Sequence, residues 1–443
     1  MTARETALKV LYETEQKQGY LNLVFAESLK KAELSPLDAG LAKELVFGVF
    51  RHKIFLDYII RANSKIRLKK LDPKILNLLR IGVYQIYFMD KIPPHAAVSE
   101  CVSLAKKVSF GKTPGFVNAV LRSVLREGKR DLNELKKDKI KYLSTKYSYP
   151  EDLTKFFLDT FKTRAENIMS AGNETPPLCV RVNTLKTTKE ELKKTLENAE
   201  IKTEDTPFCD SGLYLYDASE KKREPLSTLF TVQDQSSQLV ALALDPEKND
   251  VILDLCAAPG GKTTHLAELM DNQGEIFAFD LYDHRLKSVC ESAKRLGISI
   301  IKTEVGDAGW ENPHLLEKAD KILLDVPCSG LGIIRRKPDI KYKENITDFD
   351  EILSLQKKIL NNAKNYLKPG GVMVYSTCTV NPKENLEQIK QFLSENPDFK
   401  IDEIKSPHIT GELKEKAEKG YIEIFPDTEK SDGFFVCRLK KEV

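Results

Sequence analysis

The sequence predicts a chain of three parts: an all-α bundle over residues 1–128, a small α+β domain over 150–230, and a doubly wound α/β domain over 231–443, with 129–149 as a connector. Three observations predict it. Apolar residues recur at intervals of three and four through the first 126 positions, the spacing of one helix face. Strand-like and helix-like segments alternate from Val251 onward, as in a sheet wound with crossover helices. The length of 443 residues suits about three domains at roughly 150 residues each.

In the first part the recurring positions are Leu8, Leu11 and Tyr12; Leu41, Leu45, Phe47 and Val49; Leu76, Leu79, Val83 and Ile86; and Val117, Val120, Leu121 and Val124. Pro36, Pro73, Pro93, Pro94 and Pro114 stand near the starts of these runs, where proline costs no helical hydrogen bond, so about six or seven helices are expected. The charged run 129-KRDLNELKKDKIKYLSTKYSYPED-152 reads as a partly helical connector. In the second part Phe156, Phe157, Leu158 and Phe161 mark a helix, 179-CVRVNTL-185 and 213-LYLYD-217 alternate as strands, and Thr188 with Glu191 caps a helix to residue 199. The third part offers strands at 251–256, 276–280, 300–305, 321–326 and 372–377. Two further strands, at 421–425 and 433–439, are close enough in sequence to pair antiparallel.

Composition removes several classes of function. Hydrophobic residues at 41% and charged ones at 30% describe ordinary globular protein, and no apolar run approaches the eighteen or so residues that span a bilayer. No signal-peptide core lies in the first thirty residues. The eight cysteines lack paired spacing, so neither a disulfide framework nor a zinc site is indicated, and the six histidines share no metal-ligand spacing. A reducing cytoplasm is the expected location, and a monomer the expected state. The formal charge of +3 conceals a division: residues 1–141 hold 27 Lys and Arg against 15 Asp and Glu, a balance of +12. Such a module suits a polyanion partner, since phosphate contacts reward clustered cations; solvated lysine-rich helix faces are the plainer alternative.

The run 253-LDLCAAPGGKTTHLAEL-269 is a strand, a glycine turn and a helix start, the place where an α/β sheet admits a nucleotide. It is neither a Walker A loop nor G-x-G-x-x-G, so phosphate cradling is not signalled. The next strand ends in Asp280, where a carboxylate can accept from two ribose hydroxyls, and the third is followed by Asp307, placed for an adenine amino group. Acidic residues ending successive strands, with no basic cluster facing them, suit S-adenosylmethionine, a sulfonium, better than NAD.

Two cysteines close the fourth and fifth strands, in 325-DVPCSGLGIIRRKPDIK-341 and 375-YSTCTVNPKEN-385. A thiolate at such an edge can add to carbon 6 of a pyrimidine and so make carbon 5 nucleophilic enough to take a methyl group. A second cysteine can then take the carbon 5 proton so that the enzyme is eliminated. Arg335, Arg336 and Lys337 would supply positive potential for the thiolate, and Asp325 would hold ring N3 or the exocyclic amine. Cys256 reads as packing or backbone contact, and Cys101, Cys179, Cys209, Cys290 and Cys437 as structural.

The segments 254-DLCAAPGGKTTHLAE-268, 325-DVPCSGLGIIRRKPDIK-341 and 376-STCTVNPKEN-385 together resemble the RNA cytosine-5 methyltransferase family. The segments 4-RETALKVLYETEQ-16, 78-LLRIGVYQIYFMDKIPPHAAVSE-100 and 115-GFVNAVLR-122 resemble the NusB-like RNA-binding domain. The combination is similar to bacterial small-subunit ribosomal RNA methyltransferases of the RsmB, Sun and Fmu type, over nearly the whole chain. The resemblance implies a NusB-like bundle, an RRM-like α+β insert and a Rossmann-like class I methyltransferase domain. It implies methylation of a cytosine in 16S ribosomal RNA, met free or in a small-subunit assembly intermediate. It makes Cys378 the nucleophile and Cys328 the releasing group. It carries cofactor contacts onto Cys256, Ala257, Ala258, Pro259, Gly260, Gly261, Lys262, Asp280, Asp307 and Asp325, and RNA contacts onto Arg335, Arg336 and Lys337; in 179-CVRVNTLK-186, which resembles the family's RNA-contacting insert, Arg181 is either an RNA contact or, like Asn183, structural. Thr379 stands where many relatives have Ser. Competing readings are a transfer RNA methyltransferase of the same chemistry, an RNA-binding assembly or antitermination factor with a vestigial catalytic domain, and a nicotinamide oxidoreductase.

Overall fold

The computed structural model describes every residue except Gln18. The chain forms two compact units, Met1–Glu174 with Ile334–Thr347, and Thr175–Ile333 with Asp348–Val443.

The first unit is helical: α1 (Ala3–Lys17), α2 (Leu21–Ala32), α3 (Pro36–Arg51), α4 (Lys53–Asn63), α5 (Pro73–Phe88), α6 (Pro94–Val108), α7 (Thr113–Glu127), α8 (Lys139–Tyr147), α9 (Glu151–Phe161) and α10 (Ala165–Ala171). The expected prolines stand in the first turns of α3, α5, α6 and α7. Ser35 and Asp72 cap α3 and α5 by accepting from backbone N–H groups that no helical carbonyl reaches. The periodic apolar set enters one core, with Leu11, Leu45, Leu79, Val83, Val117 and Leu121 all buried.

The connector expected at 129–149 is not a free one. Within it α8 packs against α4, and Ser148 Oγ accepts from Phe55 N at 3.0 Å. Helix α9 is the helix read from Phe156 to Phe161; with α10 it lies in the compact unit that holds the bundle, where Phe157 and Tyr149 meet edge to face with centroids 5.5 Å apart.

In the second unit β1 (Leu178–Val182), α11 (Lys189–Asn198), β2 (Lys202–Asp205), β3 (Gly212–Tyr216), the single turn α12 (Glu220–Arg223) and β4 (Phe230–Val232) build a small antiparallel sheet of order β2-β3-β1-β4. The Thr188–Glu191 capping box forms as read from sequence. Strands β2 and β4 escaped notice because β2 is a charged edge strand, Lys-Thr-Glu-Asp, and β4 has three residues; pairing rather than pattern makes them strands.

After α13 (Gln235–Leu244) comes the large sheet: β5 (Val251–Asp254), α14 (Gly261–Leu269), β6 (Glu275–Asp280), α15 (Asp283–Leu296), β7 (Ile301–Val305), β8 (Ala319–Asp325), α16 (Asp350–Tyr366), β9 (Leu367–Thr377), α17 (Leu386–Glu395), β10 (Phe399–Ile401), α18 (Leu413–Ala417), β11 (Tyr421–Ile424) and β12 (Phe434–Lys441). Its order is β10-β12-β9-β8-β5-β6-β7, with β11 on β12. The five strands β9, β8, β5, β6 and β7 are mutually parallel, and β12 is antiparallel to β9, β10 and β11. Apolar residues of α13 and α14 fill a core on one face and those of α16 and α17 a core on the other. The chain runs outward from β5 through β6 to β7, then returns to place β8 on the other side of β5. The carboxyl ends of β5 and β8 therefore flank a switch point, where an open α/β sheet leaves a crevice for a ligand.

Candidate active site

Strand order brings five chain segments to one edge. In sheet order they are Cys378 after β9, Asp325 and Cys328 at and after β8, the glycine turn after β5, Asp280 at the end of β6 and Asp307 after β7.

The turn is anchored from below. Asp254 is fully buried, and its carboxylate accepts from Thr263 Oγ1 at 2.7 Å and Cys256 N at 3.4 Å, tying the end of β5 to the first turn of α14. At Gly260 the backbone takes φ 101°, and a Cβ would lie 3.0 Å from Val289 Cα; only glycine suits both constraints. Burial raises the Asp254 carboxyl to about 7, with Asp325 nearby adding to the effect and the Thr263 hydrogen bond opposing it. An unfolded Asp titrates near roughly 3.9, so between these values the native state binds the extra proton. The stability this contributes is complete below about pH 4 and is lost as pH rises through about 7. Asp254→Asn is expected to flatten that decline while keeping an acceptor for Thr263. Denaturant midpoints of both proteins from pH 4 to 8 check it, and parallel curves would refute it.

Asp280 is buried and takes Ala258 N at 3.3 Å on one oxygen, with Arg285 Nη1 at 3.1 Å and Tyr282 N at 3.4 Å on the other. Arg285 also donates to Ala258 O at 3.2 Å. Asp325 accepts from Lys262 Nζ at 2.6 Å and from Ser376 Oγ at 3.0 Å, and the same ammonium lies 5.1 Å from the Phe434 ring centroid. Two single cations rather than a cluster face these carboxylates: Arg285 and Lys262 each pair with one, because the first turns of α15 and α14 start beside the strand ends. Asp307 is exposed, with one oxygen accepting from Gly309 N at 2.8 Å. Cys256 is held as a thiol by burial, with Asp254 and Asp325 adding to the effect.

The two strand-end cysteines are together. Cys328 Sγ lies 3.1 Å from Cys378 Sγ, both half-buried. Hydrogen bonding to Cys378 and burial push the Cys328 thiol well up, and the charges acting on it, Glu384 and Asp325, raise it further. Behind the pair, Gly332 N donates to Cys378 O at 3.1 Å and Gly433 N donates to Gly332 O at 2.8 Å. A Cβ on Gly332 would meet Gly433 O at 2.1 Å, so this stitch requires glycine.

The RNA-contact residues fare differently. Arg181 is fully buried, bidentate to Glu268 with both bonds at 2.8 Å, and donates further to Gly261 O, Thr264 Oγ1 and Gln233 Oε1. No face of it remains for RNA. Asn183 is structural too, donating to Thr228 O and Leu296 O. Arg335 is also buried, in the Ile334–Thr347 segment that folds with the helical unit, and its carbonyl accepts from Arg51 at 3.5 Å. In that segment Lys341 is fully buried, donating to Arg51 O at 2.8 Å and Asn173 Oδ1 at 3.0 Å, 4.5 Å from the Tyr149 ring centroid. Arg336 is half-buried and Lys337 exposed. The charges acting on the Cys328 sulfur include two carboxylates, Glu384 and Asp325. Of the cysteines read as structural, Cys101, Cys179, Cys209 and Cys437 are buried, whereas Cys290 is exposed on α15 beside Thr303. Among the described residues no helix is long and apolar enough to cross a membrane, and no cluster of His, Cys, Asp and Glu could hold a metal ion.

Three family models match the chain: the NusB family over 1–126, the ferredoxin-like domain of RsmF/B-like methyltransferases over 149–220, and 16S rRNA methyltransferase RsmB/F over 241–440. A relative in Bacillus subtilis (strain 168), named probable ribosomal RNA small subunit methyltransferase B, is 37% identical, with 100% of this chain and 99% of the relative covered. The chain belongs to the RsmB/F family. A crystal structure of PH0851 matches with TM-score 0.79 at 27% identity, covering 98% of each chain. The crystal structure of NSun6 from Pyrococcus horikoshii with SFG matches with TM-score 0.56 at 25% identity, covering 66% of this chain and 98% of the other. As an RsmB/F family member the protein is an S-adenosylmethionine-dependent rRNA methyltransferase. The crevice at the switch point fits that cofactor: a glycine turn with room for close backbone approach, and the carboxylates Asp280, Asp307 and Asp325 at three strand ends, suit a nucleoside bearing positive charge.

Proposed function

We propose that this RsmB/F family member methylates carbon 5 of a cytosine in 16S rRNA through a covalent adduct with Cys378. The observation that carries the reading is the pair of thiols 3.1 Å apart, closing adjacent parallel strands next to the Lys262–Asp325 ion pair. Chemistry at a ring carbon in structured RNA requires the base to leave its stack, and a target cytosine turned into this crevice meets both sulfurs and a carboxylate. Residues Cys256 through Lys262 with Asp280, Asp307 and Asp325 would hold S-adenosylmethionine, which when bound supplies the electrophilic methyl group.

The chain's own groups divide the work. Cys378 acts as the thiolate, with the Cys328 sulfur 3.1 Å away. Its sulfur forms a bond to carbon 6, and the carbon 5–carbon 6 electron pair moves onto carbon 5. Asp325, steadied by Lys262 and Ser376, orients the amidine edge of the base. Once carbon 5 carries its methyl group, a base must take the remaining proton so that the double bond reforms and the sulfur–carbon 6 bond breaks. Cys328, as thiolate, is that base, and the electron pair of the breaking sulfur–carbon 6 bond returns to Cys378.

The test is transfer of labelled methyl from S-adenosylmethionine to protein-free 16S rRNA, followed by nucleoside digestion and mass spectrometry. A single site of 5-methylcytosine is expected; label on a ribose, on another base, or none would overturn the reading. The cofactor assignment has its own check. Asp280→Ala is expected to weaken S-adenosylmethionine binding by about 10–100-fold in calorimetry, the value of one or two hydrogen bonds to a charged group. A dissociation constant within about twofold of wild type would remove Asp280 from the cofactor site.

A further inference from the structure

On the loop after β9, two consecutive buried residues each bracket one of the reactive cysteines. The Glu384 carboxylate receives four donors: Ser329 N at 2.8 Å and Gln356 Nε2 at 3.1 Å on one oxygen, Ser329 Oγ at 2.5 Å and Asn381 Nδ2 at 3.0 Å on the other. An ionised carboxylate accepts about four hydrogen bonds, so its capacity is filled. Gln356 Nε2 also donates to Pro327 O at 2.9 Å, so Pro327 and Ser329, the residues on either side of Cys328, are both held. Asn385 treats Cys378 alike: its Oδ1 accepts from Thr377 Oγ1 at 2.6 Å, and its Nδ2 donates to Thr379 O at 3.1 Å. The two brackets are joined through Ser329 Oγ and Thr379 Oγ1, 2.7 Å apart, and Tyr375 Oη donates to Glu384 O at 2.7 Å.

Glu384 is wholly buried, and an unpaired charge there would be costly to keep. Its partners are not helix caps or sheet edges that any fold needs. They are the backbone and side chain of the residue after Cys328, and amides aimed at the same loop. We infer that Glu384 and Asn385 are positioning residues for the two sulfurs, Glu384 setting Cys328 and Asn385 setting Cys378. This rests on the reading of Cys378 as nucleophile and Cys328 as releasing group. It divides the motif by step: disturbing Glu384 impairs release of the methylated base, and disturbing Asn385 impairs formation of the adduct. Neither residue reaches the glycine turn, so cofactor affinity is independent of both.

The experiment uses the full-length protein, 16S rRNA and S-adenosylmethionine, with adducts resolved on denaturing gels and wild type and Cys328→Ala as references. Glu384→Gln keeps the size of the side chain but turns an amide toward donors on Ser329, Gln356 and Asn381. Its turnover is expected to fall about 10–100-fold, the order of loss that follows a misplacement near 1 Å. Adduct accumulates as in Cys328→Ala, and the cofactor dissociation constant stays within about twofold of wild type. Asn385→Ala is expected to slow adduct formation without accumulating it. The inference is overturned if Glu384→Gln turns over like wild type, or loses turnover without adduct while Cys328→Ala still accumulates it. Should Glu384→Gln not fold, Ser329→Ala removes a single donor and must show the same accumulation in milder form; wild-type behaviour there overturns the inference equally. If Cys328→Ala itself yields no adduct, the covalent reading is what fails, and the positioning roles fall with it.

Discussion

Cys378→Ala is expected to reduce methyl transfer by about 10⁴-fold or more, since removing a covalent nucleophile leaves only binding and orientation. Cys328→Ala should lose turnover too, but in a different way. It should stall with RNA covalently attached, visible as a shifted band that survives denaturation. The asymmetry follows from the order of the steps, since one sulfur bonds to carbon 6 and the other is needed only after the methyl group has arrived. Hydrogen bonding to Cys378 and burial disfavour the Cys328 thiolate, with Glu384 and Asp325 adding to the effect. Both sulfurs are half-buried, so either truncation should leave folding and cofactor binding near wild type. The opposite pattern, with Cys328→Ala unable to form any adduct and Cys378→Ala stalled, would exchange the two roles.

The largest expected loss of stability comes from a residue that resembled an RNA contact. Arg181→Met should lower the unfolding free energy by about 3–5 kcal/mol, because it strands a buried carboxylate. Burial already raises the Glu268 carboxyl against the opposing pull of Arg181, and removing that pull raises it further. A group with a raised folded pKa contributes stability at low pH that is lost as pH rises, so the defect should be smaller at pH 5 than at pH 8. The double variant Arg181→Met with Glu268→Leu should recover much of the loss, since it removes the stranded charge. Urea midpoints of wild type and both variants at both pH values measure this. A midpoint for Arg181→Met equal to wild type would contradict it. The position matters for function as well. Arg181 lies on β1 of the small sheet and Glu268 on α14, the helix that follows the glycine turn, and Arg181 also donates to Gly261 O at 2.7 Å. The small domain thereby buttresses the cofactor loop from behind.

Much of the site was legible because its residues lie at strand ends. Period-two and period-3.6 patterns locate those ends, and a parallel sheet then gathers them on one edge, which is why Asp280, Asp325, Cys328 and Cys378 could be named before any coordinates. Arg285, Glu268 and Gln356 were not legible. Each acts across more than one element, on Asp280, Arg181 and Pro327 respectively, and nothing in local spacing distinguishes such a side chain from a solvated one. Glu384 and Asn385 fell inside a recognised segment but carried no visible task, since their partners lie up to 55 residues away. The short strands β2, β4 and β10 were missed for a related reason: a strand of three or four residues exists by virtue of its neighbour.

What the sequence determined by itself was the longer helices and strands, the chemistry-bearing residue types and the edge on which they meet, because these depend on periodicity, turn residues and composition, all local properties. What only the tertiary structure decided was which charges are spent internally. Arg181 and Arg335 look like phosphate ligands in a linear reading, yet burial excludes both from an RNA surface, and Arg181 closes on Glu268. The chain also returns Ile334–Thr347 to the helical unit, where Lys341 lies buried among backbone and amide oxygens. Whether a guanidinium faces water or a carboxylate depends on desolvation and on partners distant in sequence, and neither is encoded in its immediate neighbours.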